Sequence, residues 1–125
     1  MLGGMDAAKR ILLVGVGGFL GANARYWISL ALATSYPWTT MGINVVGSFL
    51  LGSIVGLDPA PGWKLFLGVG VMGGFTTFSA FSVESLALVE AGEWRRAGVY
   101  VFGSVLLSLF AAGGGLALAR SVASR

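Results

Sequence analysis

The side chains of this sequence that could do chemistry are neutral hydrogen-bond donors set inside apolar runs: Asn44 and Ser48, then Thr76, Thr77, Ser79 and Ser82, then Tyr100, Ser104 and Ser108. They fall into rows. Asn44, Ser48, Gly52 and Gly56 recur every fourth residue, as do Tyr100, Ser104, Ser108 and Ala112, so each set forms a slightly drifting stripe down one face of a helix. Phe78 and Phe81 share a face, with Ser79 and Ser82 on an adjacent one. Such donors carry no fixed charge. They suit a small, strongly hydrated anion, whose water they can replace without holding it too tightly to leave. The electropositive edges of aromatic rings add to that preference.

Catalysis finds no comparable support. The sequence has no histidine and no cysteine, which removes imidazole bases, thiol chemistry and the usual zinc ligands. A serine nucleophile would lack a base, and spacing does not bring Glu84 and Lys64 together. The glycine-rich GVGVMGG at residues 68–74 lacks the Lys-Ser or Lys-Thr that completes a nucleotide-binding loop.

The elements that must position these donors follow from composition. The chain has 125 residues, of which 56% are hydrophobic and only 10% charged, and its mean hydropathy is +0.86. Soluble domains carry about 25% charged residues, so this chain could not cover a water-facing surface. Its length suits about four spans of roughly 20 residues with short loops, forming a single all-α transmembrane domain over residues 1–125. The net charge of +3 comes from eight basic and five acidic residues. The basic residues cluster at span ends, which suits anionic lipid head groups of the bilayer rather than nucleic acid.

The spans are expected at residues 11–33, 41–57, 64–89 and 97–119. A signal peptide is the competing reading of the first, but Asn23 and Arg25 interrupt its apolar region and the region is too long. Gly17, Gly18, Gly21 and Ala22 offer close helix contact by small residues four apart. Arg25 falls about 21 Å along the first span. It reads either as an interfacial anchor beside Tyr26 and Trp27 or as a positive charge in an anion vestibule. Asn44 reads either as interhelical glue or as a pore donor. Glu84, about 30 Å beyond Lys64 along the third span, lies in the same half of the bilayer as Arg25, so the two could pair. In the fourth span Gly113, Gly114 and Gly115 are expected to loosen the helix.

Within the third span, GGFTTFSAFS at residues 73–82 is the polar interruption. The two glycines weaken the helix, and Thr76 and Thr77 can turn hydroxyls back onto backbone carbonyls. Irregular backbone at bilayer depth is tolerated only where protein or a wet cavity covers it, which makes the stretch a candidate site. With four spans both termini lie on one side, with Lys9, Arg10, Lys64, Arg120 and Arg125, against Arg95 and Arg96 on the other. That bias puts the termini in the cytoplasm if one orientation exists, and it is modest enough to permit both. So little material for a conduit implies oligomerisation. Two other readings stand beside a conduit: a small dual-topology proton-coupled cation or drug exporter, and a helix bundle that only packs against partners.

Asn44 within GINVVGS and the segment GGFTTFSAFSVE resemble the signature segments of the Fluc or CrcB fluoride channels. Gly21-x-x-x-Arg25, the four-span length and the short loops are similar too, so the resemblance covers nearly the whole chain. It implies a fluoride-selective passive channel exporting toxic fluoride across the cell (plasma or inner) membrane. It also implies an antiparallel dual-topology homodimer with a broken third helix and one central structural sodium ion (Na⁺). On that resemblance the sodium would be held by the backbone carbonyls of Gly73 and Thr76. Asn44, Phe78, Phe81, Tyr100, Ser104 and Ser108 would line the fluoride pore, and Arg25 would stand in the vestibule.

Overall fold

A computed structural model describes residues 3–125, apart from the side chain of Ser35. It is all-helical, with four helical stretches long and apolar enough to cross a membrane: Ala7–Ala31, Trp38–Leu57, Pro61–Glu90 and Trp94–Ala123. Their ends follow local chemistry. Asp6 caps the first span, its Oδ1 accepting from the Lys9 N–H at 2.8 Å. Pro37 is buried in the turn to the second span, and the Thr39 hydroxyl donates back to the Leu32 carbonyl at 2.9 Å. The second span stops where Asp58 turns left-handed at φ 50°, and Asp58 forms an ion pair with Lys64. Pro61 then opens the third span at its first turn, where a missing N–H costs nothing. Gly92, at φ 77°, makes the last turn possible.

The third span is irregular. Lys64–Met72 is wound as a π-helix, and one α-turn, Gly73–Phe75, follows. Thr76 (φ −82°, ψ 155°) and Thr77 (φ −148°, ψ 118°) are extended, and the α-helix resumes at Phe78 and runs to Glu90. Gly73 and Gly74 themselves are helical, so the departure from helix lies just beyond the glycines expected to cause it. The fourth span is one unbroken helix, Trp94–Ala123. Gly113, Gly114 and Gly115 do not loosen it, because the helix is held on one side by a close contact at Gly115.

Glycine sets the packing. A Cβ on Gly17 would collide with the Phe66 carbonyl and lie 2.9 Å from Gly70 Cα, one on Gly21 would collide with the Val71 carbonyl, and one on Gly74 would stand 2.9 Å from Ala22 N. The first span and the opening half of the third therefore lie backbone against backbone. The second and fourth spans do the same at Gly52 against the Ala112 carbonyl, at Gly56, where an added Cβ would stand 2.7 Å from both Ala119 Cβ and the Leu116 carbonyl, and at Gly115 against Phe49. In each pair the contacts advance in the same direction along both helices, so the partners run parallel. Large apolar side chains such as Ile11, Phe102 and Phe110 point outward and are largely exposed, as befits a surface solvated by lipid.

Candidate functional site: a hydroxyl-lined cavity and a carboxylate knot

Toward the other end of the second–fourth contact the stripes change character. Asn44, Ser48, Ser104 and Ser108 replace glycine and alanine, and the helices enclose a cavity of about 270 Å³ whose remaining wall includes Thr76, Thr77, Phe78 and Phe81. A Cβ on Gly47 would strike Thr76 Cγ2, so the second span can lie against the extended residues only because glycine stands there.

Asn44 is committed to those residues. Its Nδ2 donates to the Thr77 carbonyl at 2.9 Å, and its Oδ1 accepts from the Thr77 N–H at 2.8 Å. Both backbone groups of an extended residue at bilayer depth are thereby satisfied, as such a site demands. One of the two amide N–H donors is still left for a ligand.

The same rearrangement frees carbonyls upstream. In a continuous helix the Thr77 N–H would bond to the Gly73 carbonyl, but it is held by Asn44. The Ala80 N–H would bond to the Thr76 carbonyl, but it donates to Thr77 Oγ1 at 3.2 Å and caps the new helix. Gly74 loses its donor to the same interruption, and Arg25 replaces it, its Nε lying 3.1 Å from the Gly74 carbonyl. Arg25 is therefore a partner of a backbone carbonyl and not of Glu84. It ties the first span to the interrupted segment.

Glu84 has other partners. Its Oε1 accepts from the Thr40 hydroxyl at 2.9 Å and its Oε2 from the Tyr100 hydroxyl at 2.7 Å. Tyr100 is fully buried, wedged edge-on by Trp38 with centroids 6.2 Å apart and packed on Phe81 at 5.4 Å. Its hydroxyl thus faces the carboxylate and not the first cavity. Thr40, Tyr100 and Glu84 each lie one helical turn from a cavity residue (Asn44, Ser104 and Phe81). Beyond them a second cavity of about 240 Å³ is lined by Ser29, Tyr36, Thr39, Thr40 and Glu84.

Of the expected site residues, Asn44, Phe78, Phe81, Ser104, Ser108 and Thr76 meet at the first cavity. Phe78 and Phe81 are in tilted contact at 5.5 Å, Phe81 buried and Phe78 78% exposed at the rim. Tyr100, Arg25 and Gly73 stand apart from its wall. Ser104 is the most telling member: its side chain is buried, and its Oγ has no hydrogen-bond partner. The Thr40–Glu84–Tyr100 knot escaped the sequence reading. Periodicity offered one signal for it, since Tyr100 continues the serine stripe by a turn, but nothing announced that a carboxylate from another helix would meet it.

Comparisons with known proteins agree in placing the chain. Residues 12–116 match the family described as CrcB-like protein, Camphor Resistance (CrcB). A protein of Rhodospirillum centenum named fluoride-specific ion channel FluC is 49% identical over 122 residues, covering 90% of this chain and 97% of its own. A Thermus thermophilus protein of the same name is 45% identical over 112 residues, covering 83% of this chain and 88% of its own. One from Rhizobium meliloti, also so named, is 42% identical over 123 residues, covering 91% and 98%. With four apolar helical spans and matches of this extent, the chain is a multi-pass membrane protein and belongs to the CrcB family.

Proposed function

We propose that this protein is a passive fluoride channel that lets toxic fluoride leave the cytoplasm across the cell membrane. The observation that carries the reading is the buried Ser104 hydroxyl without a partner, facing a cavity that also holds Ser48, Ser108 and the edge of the Asn44 amide. A buried hydroxyl left unpaired costs about 1–3 kcal/mol, and an anion that accepts its hydrogen bond removes that cost. The names of the relatives give the anion as fluoride. Phe78 and Phe81 then line the path with ring edges, and Tyr100 contributes indirectly, by holding Glu84 in the wall of the second cavity. Efflux from proteoliposomes tests this directly. Rapid fluoride release with chloride retained is expected, and a protein that passes neither ion sinks the proposal.

On this reading the third span acts as a broken helix, and the working unit is an antiparallel, dual-topology homodimer. Phe78, exposed at the cavity rim of a single chain, is the residue whose covering a second copy would supply. A central sodium ion fits the chemistry of the break. The Gly73 and Thr76 carbonyls have both lost their helical donors to Asn44 and to the Thr77 cap, and hard cations take such oxygen ligands. When bound, the ion would neutralise carbonyl dipoles that no N–H serves. Dimer stability after exhaustive removal of Na⁺ measures its contribution, and indifference would argue against it.

A proton-coupled cation exporter is favoured by one observation: among the described residues Glu84 meets hydroxyls and no cationic side chain. That reading requires Glu84→Gln to abolish proton-driven cation uptake, whereas the channel requires no such uptake in the unaltered protein.

A further inference from the structure

Helical serines in an apolar span ordinarily turn their hydroxyls back onto the carbonyl one turn earlier, where no water competes. Ser53 does so onto Phe49 at 2.9 Å, Ser82 onto Phe78 at 2.9 Å, Ser85 onto Phe81 at 2.6 Å and Ser121 onto Leu118 at 2.8 Å. Among the described residues, Ser48, Ser104 and Ser108 make no such bond, and all three line the first cavity. Ser29 is likewise without one, and it lines the second cavity. Among the described serines, the unpaired hydroxyls are therefore those that line a cavity.

Ser104 and Ser108 belong to the fourth span; Ser48 belongs to the second. The contact of Gly52 with Ala112 fixes the register of these parallel helices, and one turn back from each residue are Ser48 and Ser108. The two hydroxyls thus stand at the same height on facing walls. Gly47, pressed on Thr76, sets the face of the second span that meets the extended residues, and Ser48 is its neighbour in the same cavity wall. A partly dehydrated anion between these helices needs donors on more than one side, since serines from a single helix would leave half of it unsolvated.

We infer that Ser48 is a fluoride-coordinating residue, supplying from the second span the hydroxyl that faces Ser108 across the cavity. The inference rests on the channel reading and adds a specificity-determining donor to it. The test is fluoride efflux from proteoliposomes for the unaltered protein, Ser48→Ala, Ser48→Thr and, as a control, Ser53→Ala, whose hydroxyl is committed to Phe49. Folded protein is quantified for each by gel filtration. Ser48→Ala should lower the efflux rate about tenfold, the effect of losing one hydrogen bond to an ion, and raise the fluoride concentration for half-maximal efflux. Ser48→Thr should restore most of the rate, and Ser53→Ala should match the unaltered protein. Undiminished efflux in Ser48→Ala overturns the inference. So does a Thr variant as impaired as the Ala variant, or a loss of efflux that merely tracks a loss of folded protein. If the unaltered protein passes no fluoride, it is the channel reading that fails.

Discussion

The second and fourth spans meet twice, and the two meetings use the same geometry for different ends. At one end Gly52, Gly56 and Gly115 let backbone touch backbone, and no space remains. Toward the other end the stripes carry Asn44, Ser48, Ser104 and Ser108, and the same helices stand around a cavity. The four-residue period is common to both. What differs is whether the residue can fill its own hydrogen bonds and volume. Small residues close the packed half, and that half holds the register that keeps hydroxyls apart and unpaired in the open one.

The packed half offers the largest effect. Gly113, Gly114 and Gly115 are adjacent and all helical, yet only Gly115 has backbone where a Cβ would go. Gly115→Ala should therefore cost at least about 2 kcal/mol by overpacking, seen as a lowered thermal midpoint and poor recovery of folded protein, while Gly113→Ala should leave both unchanged. Equal behaviour of the two would dissolve the distinction between the halves.

Next comes the wall between the cavity and the extended residues. Asn44→Ala strips partners from the Thr77 N–H and carbonyl, at about 1–3 kcal/mol for each buried group. It should lower thermal stability and fluoride efflux together. Asn44→Asp keeps the acceptor but sets a carboxylate against the Thr77 carbonyl and a negative charge beside the anion path, so its efflux should fall at least as far as that of the Ala variant.

The smallest effect belongs outside the membrane. The Lys64 ammonium, hydrogen-bonded to Asp58, holds that carboxyl below its ordinary value. A pKa depressed by folding stabilises above the ordinary aspartate range and ceases to do so as pH falls through the lowered value. The pair is solvent-exposed, so Asp58→Asn should leave efflux unchanged at neutral pH and remove only a slight loss of thermal stability on acidification. A large loss at neutral pH would move weight from the helix contacts to the loop.

Much of this was legible in the residues. Four apolar runs with charged ends give four spans because a chain with so little charge has no other surface to offer. The spacing of Gly52 and Gly56 with Asn44 and Ser48 placed packing and lining on one face. The partners of that face were hidden. Asn44 and Thr77 are far apart in sequence, and side-chain amides announce a need for hydrogen bonds without naming who meets it. Arg25 meets the Gly74 carbonyl, a partner that no spacing announced, because a carbonyl that has lost its helical donor is left in need of one. The π-helical winding of Lys64–Met72 left no mark, since LFLGVGVM reads as any apolar helix. Glycines 113–115 misled for the opposite reason. Their weak propensity is overridden where one of them is pinned between helices.

Ser104→Ala separates a structural hydroxyl from one kept for an ion, because the two roles give opposite signs. Removing a buried donor that has no partner should leave the thermal midpoint unchanged or raise it, while fluoride efflux from proteoliposomes falls about tenfold. Unchanged efflux, or a midpoint that falls with it, would contradict the account.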